Sequence, residues 1–117
     1  MKIWLDDLRP APEGYVWCNS VNAAKQTITD FEQEIENALD EYDFPSAELW
    51  NKRIELIDID HDAGDFVSDG GDYIRLLDWL EETGRNYPIR IHSANPVGVQ
   101  NMRRIIERNG WKEIREC

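Results

Sequence analysis

The stretch Ile54–Gly64, IELIDIDHDAG, decides the fold. It opens apolar, Ile54-Glu55-Leu56-Ile57, and closes on alternating carboxylates, Asp58, Asp60 and Asp62, with His61 among them. An apolar run that opens into acids reads as a buried strand with polar chemistry at its C-terminal end. Two other short runs end alike: Lys2–Leu5 leads into Asp6-Asp7, and Pro88–Ile91 into His92-Ser93. Ligands of an open parallel sheet sit beyond the carboxyl ends of its strands. The three ends therefore predict one polar pocket along one edge of a sheet.

Upstream, Pro10 and Pro12 exclude a helix interior and stiffen an extended path from Leu8 to Gly14, long enough to span roughly 23 Å. Tyr15–Cys18 then reads as a second strand, reached by a proline-stiffened crossover where a helix would usually stand; an antiparallel edge strand is the alternative. Ser20 is placed to cap an amphipathic helix carrying Val21, Ala24, Ile28, Phe31, Ile35 and Leu39. Asp40–Asn51 is expected as a loop or extra turn, broken at Pro45 and docked through Leu49 and Trp50. Downstream, a helix is expected from near Asp72 to Gly84 with Tyr73, Leu76, Leu77 and Leu80 on one face. Asn95-Pro96 should open another, with Val97, Met102, Ile105 and Ile106 toward the sheet, and Trp111–Arg115 should be a last strand. Alternating strands and helices predict an α/β three-layer sandwich forming a single domain over residues 1–117.

Of the 117 residues, 41% are hydrophobic and five are Trp, a globular composition. The formal net charge of −11 argues against nonspecific nucleic-acid binding but not against a short nucleotide held through a metal. Part of that charge, Asp30–Glu48, reads as a solvated face. With neither a membrane-length apolar run nor a signal peptide, the expectation is a cytoplasmic protein without membrane contact. Cys18 and Cys117 have no C-x-x-C spacing, which disfavours a thiolate zinc site.

Asp6, Asp7 and Asp60 come from different strand ends and would converge. Crowded carboxylates need a cation or a shared proton, and hard oxygen donors suit Mg²⁺. The chain has only two histidines, His61 and His92, each at a predicted strand end; as a facing pair they could split a phosphodiester, one as base and one as acid. Ser93 and the helix start at Asn95 form an anion site, with Arg9 a candidate phosphate clamp. Asp58-x-Asp60-x-Asp62 resembles a calcium loop, but Ala63 stands where that loop needs glycine and a strand precedes it. His61-Asp62 resembles the HD phosphohydrolase dipeptide, which sits on a helix with further histidines.

WLDDLRPAPEGYVW (4–17), IDHDAGD (59–65), GGDYIRLLDWLEE (70–82) and HSANPVG (92–98) resemble the cyclic-phosphate processing receiver family. The resemblance implies a flavodoxin/receiver-like, mostly parallel five-stranded sheet in the order 2-1-3-4-5, with a proline-rich loop replacing the first helix. It maps the Mg²⁺-binding pair of receivers onto Asp6 and Asp7, the phospho-acceptor onto Asp60 and the Ser/Thr of the fourth strand onto Ser93. The usual lysine after the fifth strand has no counterpart. The leading expectation is a phosphoesterase assisted by Mg²⁺ or Mn²⁺ at Asp6, Asp7 and Asp60. Its catalytic residues would be His61, His92 and Asp60, its phosphate ligands Ser93, Asn95 and Arg9, and its substrate a cyclic phosphate of a nucleotide or RNA end. The alternative is a degenerate receiver that binds a nucleotide or protein without chemistry; a haloacid-dehalogenase-like phosphatase is a third, for which the chain is short.

Overall fold

The computed structural model describes residues 1–41 and 53–115, without the side chains of 39–41. Four strands, β1 (Lys2–Leu5), β2 (Tyr15–Cys18), β3 (Leu56–Ile59) and β4 (Ile89–Ile91), form a sheet in the order β2-β1-β3-β4. Every pairing is parallel, so β2 is not an antiparallel edge strand. β1 and β2 are joined without a helix through the proline segment. Among the described residues three α-helices alternate with the strands after β2: α1 (Val21–Glu41), α2 (Ile74–Glu82) and α3 (Pro96–Asn109). Among the described residues no helix is long and apolar enough to cross a membrane.

Register sets the two faces of the sheet. Ile3 pairs with Ile57 and that with Ile89; Leu5, Ile59 and Ile91 form the next row. These side chains pack with Val21, Ala24 and Ile28 of α1, Leu76, Leu77 and Leu80 of α2, and Met102, Ile105 and Ile106 of α3 in one core. The intervening row runs Trp17–Trp4–Asp58–Arg90 on the opposite face. Right-handed crossovers explain the division: β2→β3 and β3→β4 step the same way across the sheet, so their helices share a face. The step from β1 to β2 runs the other way, and there the chain has only the proline segment, which meets the sheet where the Trp4 indole donates to Arg9 O at 2.9 Å.

Ser20 caps α1 as expected, its Oγ accepting from Ala23 N at 3.0 Å. α1 continues two residues past Leu39 to Glu41; the remainder of the expected loop, with Pro45, Leu49 and Trp50, lies outside the described residues. Tyr73, Leu76, Leu77 and Leu80 are all fully buried. Val97 does not face the sheet: it is 66% exposed, and Gly98 takes the inward position. The expected fifth strand, Trp111–Arg115, is reduced to one parallel bridge between Ile89 and Glu113. Among the described residues its main chain meets β4 at Ile89, through Ile89 N to Lys112 O (3.0 Å) and Ile114 N to Ile89 O (2.7 Å), while Trp111 N donates to Ile106 O of α3 at 3.0 Å. The Glu113 side chain is held by guanidinium groups on both sides, Arg103 Nε at 2.9 Å and Arg115 Nε at 3.0 Å, so the segment folds onto α3 instead of following β4.

α1 is tied to the segment after α2 by Glu32, which accepts from Arg85 Nε at 3.0 Å, Arg85 Nη2 at 2.8 Å and the Tyr87 hydroxyl. The Arg85 guanidinium also lies over the Trp79 ring. Burial alone would raise the Glu32 pKa, but the Arg85 and Tyr87 hydrogen bonds outweigh it and hold the carboxyl below its ordinary 4.5. Its stabilising contribution is therefore present above pH 4.5 and fades as pH falls through the lowered folded value. Arg85→Met should cost about 1–2 kcal/mol in urea unfolding at pH 7, and the difference from wild type should shrink as pH falls below 4.5 and through the lowered Glu32 value; a pH-independent difference would mean that the arginine acts through packing alone.

Candidate functional site

The sheet's C-terminal edge gathers Asp6, Asp58, Asp60 and His92. All three aspartates are buried, Asp6 at 1%, Asp58 at 2% and Asp60 at 9% exposure. Asp58 stands in register between Trp4 and Arg90, inside the sheet rather than beyond it. His92 follows β4 on the same face. Its Nδ1 lies 2.7 Å from Asp58 Oδ1 and its Nε2 2.9 Å from Asp6 Oδ2. Its ring stacks flat on Trp4, centroids 3.8 Å apart and planes 4° from parallel. Arg90 Nη1 reaches Asp58 Oδ2 at 3.4 Å.

The loop after β1 is built around Asp6. Its Oδ1 accepts from Leu8 N and Arg9 N, both at 2.9 Å, which turns the chain toward the proline segment. Burial raises the Asp6 pKa, but these amides and His92 outweigh it, and the carboxyl stays below its ordinary range. Asp7 behaves oppositely. Its burial, together with the charges of Asp6 and Asp60, pushes its pKa up. Asp7 Oδ2 lies against Gly64, where a Cβ would overlap it, and Gly64 has φ +54°. Burial and the surrounding carboxylates also push up the pKa of Tyr73, whose hydroxyl donates to Asn19 O at 2.6 Å.

Asp6, Asp60 and His92 can each offer a ligand atom such that all lie within 4.8 Å of one another. Two carboxylates and an imidazole suit a divalent cation as donors. The remaining ring nitrogen of His92 faces Asp58, the outer partner by which metal-binding histidines are usually oriented. The residues present thus fit a cation. Asp7 stands beside this trio rather than in it.

His61 is placed differently. Its N–H donates to Asp60 Oδ1 at 2.7 Å, but its ring turns toward α3 and rests on Gly98, where a Cβ would overlap the imidazole. His61 Nδ1 lies 2.8 Å from Asp62 Oδ1 and 3.5 Å from Asn95 Nδ2. The two histidines therefore occupy the same edge with separate partners. Ser93 Oγ accepts from Asn95 N at 3.1 Å, and Asn95 Oδ1 caps α3 by accepting from Gly98 N at 3.1 Å. Arg9 Nη1 donates to His92 O at 3.2 Å, with its Nε 3.8 Å from Asp6 Oδ2 and its side chain 55% exposed.

A family model described as cyclic-phosphate processing receiver domain matches residues 1–108. The chain belongs to that family. Comparison with curated proteins and with solved structures gave no match. In this receiver-family chain three positions that shape the site had no place in the site expected from sequence: Asp58, weighed only in rival motifs, and Trp4 and Gly98, which were passed over. The signal for the first two was strand alternation, which puts residues 4, 58 and 90 in one row. Gly98 gave no signal, because a glycine one turn into a helix looks like any weak helix former.

Two outcomes follow. Asp58→Asn should weaken divalent-cation binding by about 10–100-fold in calorimetry; unchanged affinity would remove Asp58 from the site. Gly98→Ala, which in an ordinary helix stabilises by about 0.5–1 kcal/mol, should instead lower the melting temperature and shift the His61 ring signals in NMR.

Proposed function

We propose that this domain is a metal-assisted phosphoesterase acting on a cyclic phosphate of a nucleotide or an RNA end. The observation that carries the reading is the convergence of Asp6, Asp60 and His92 at the strand-end edge of a chain from the cyclic-phosphate processing family. Asp6, Asp60 and His92 hold the cation, with Asp7 at the rim; the imidazole donor favours Mn²⁺ over Mg²⁺. When bound, the cation supplies positive charge to the phosphoryl oxygens.

The histidines divide the work. Both ring nitrogens of His92 face carboxylates, which suits binding better than proton transfer. His61 has Asp62 on Nδ1 and no hydrogen-bond partner on Nε2 among the described residues. A carboxylate on one nitrogen fixes the ring and leaves the other to take or deliver a proton. In the hydrolytic direction a water oxygen attacks phosphorus and gives up a proton, one ester P–O bond breaks, and the departing ribose oxygen gains a proton; His61 serves one of these two transfers. The Ser93 hydroxyl, the α3 first turn and Arg9 meet the phosphoryl oxygens. Asn95 acts on that turn as its cap.

The test is hydrolysis of adenosine 2′,3′-cyclic phosphate with Mn²⁺, alongside Mn²⁺ calorimetry. His61→Ala should lower kcat by about 10²–10⁴ with cation affinity retained, whereas His92→Ala should lose both. A wild-type protein that binds the cyclic nucleotide and leaves it intact would instead be a non-catalytic receiver module.

A further inference from the structure

The edge of the sheet beyond β4 holds a cleft of about 300 Å³ that the proposed reaction does not use. Its walls are Arg90 and His92 at the end of β4, Arg103 of α3, and Glu113 and Arg115 of the C-terminal segment. The cleft exists because Trp111–Arg115 meets β4 at one bridge only. We propose that it binds a second phosphoryl group of the same substrate, so that the domain selects cyclic-phosphate ends that carry a further phosphate. This rests on the phosphoesterase reading above.

Charge is the first argument. In a chain of net charge −11, this cleft sets three guanidinium groups against one carboxylate. Glu113, its side chain 8% exposed, is shared between Arg103 Nε at 2.9 Å and Arg115 Nε at 3.0 Å. One carboxylate does not use up the donors of two arginines, since each guanidinium carries five N–H groups.

Arg90 is the second argument. Its Nη1 makes only a long contact of 3.4 Å with Asp58. Its Nε is buried and has no hydrogen-bond partner. A buried N–H without an acceptor is costly, so the Arg90 guanidinium lines the cleft incompletely satisfied, its charge met by one long contact. Planar guanidinium forks match phosphate oxygens geometrically as well as electrically.

Position is the third. His92 belongs to both sites: its ring nitrogens face Asp58 and Asp6, and it forms part of the cleft wall. A substrate whose cyclic phosphate lies at the acid cluster would therefore extend into the cleft. The second phosphate has two chemical sources, a 5′-phosphate on the terminal nucleotide or the internucleotide phosphodiester of an RNA end.

The experiment uses the His61→Ala protein with Mn²⁺, so that ligands stay intact, and measures Kd by calorimetry. Three ligands are compared: adenosine 2′,3′-cyclic phosphate, the same nucleotide bearing a 5′-phosphate, and the dinucleotide ApA ending in a 2′,3′-cyclic phosphate. At least one of the last two should bind about 10-fold tighter than the first, and the one that gains identifies the source. Arg103→Gln/Arg115→Gln should remove that gain and leave the first ligand unaffected; Arg115→Gln alone, at a side chain 60% exposed, should remove part of it while preserving the fold. Equal affinities, or a gain that survives both variants, would overturn the proposal. If none of the three binds, the phosphoesterase reading falls and the cleft is judged separately, by the guanidinium Nε–H NMR signals of Arg103 and Arg115 during titration with inorganic phosphate. Signals that move saturably support a phosphate cleft, and signals that stay still overturn it.

Discussion

A single imidazole ties the site together. His92 reaches back from the end of β4 to Asp58 in β3 and to Asp6 after β1, and lies flat on Trp4 of β1. Three parallel strands are thus fixed to one another at their C-terminal edge by one side chain as well as by their ladders. The arrangement also solves an electrostatic difficulty. Asp6, Asp58 and Asp60 are all buried, and buried carboxylates persist only when paired and hydrogen-bonded. Asp58 has His92 and Arg90; Asp6 has His92 and two amides. Asp60 has the His61 amide, which leaves it the least compensated of the three and the natural point for a cation to contribute.

The connectivity explains why such a polar row can exist inside a parallel sheet. Strands covered by helices on both faces are apolar on both. Here the three described helices share the isoleucine face, and the other carries Trp17, Trp4, Asp58 and Arg90. With a proline segment in place of the first crossover helix, none of the described helices covers that face, and the same segment supplies Arg9 and the loop that holds Asp6. The loss of a helix and the gain of a polar site are two consequences of one stretch of sequence.

Much of this was legible from the residues. Strand ends that pass from apolar to acid marked the edge where the site lies, and Ser20, Asn95 and Pro96 marked helix starts through their capping chemistry. What escaped followed from tertiary contacts. Trp111–Arg115 follows a helix stop where a last strand would stand, yet Glu113 is drawn to Arg103 and Arg115, and local pattern cannot reveal that competition. Val97 stands five residues before Met102 and so off the stripe of Met102, Ile105 and Ile106, whereas Gly98, four before it, lies on that stripe and takes the inward place. The two histidines were read as equals because both end strands; side-chain direction separates them, one ring turning onto Trp4 and the other onto Gly98.

The central claim is that Asp6, Asp60 and His92 form one cation site oriented by Asp58. Anomalous diffraction from crystals soaked in Mn²⁺ tests it most directly. The account predicts a single strong peak about 2.0–2.3 Å from a carboxylate oxygen of Asp6, one of Asp60 and the Nε2 of His92, with Asp58 still on Nδ1. A peak held by Asp7 and Asp62 instead, or no peak with Nε2 still on Asp6 at saturating Mn²⁺, would contradict it.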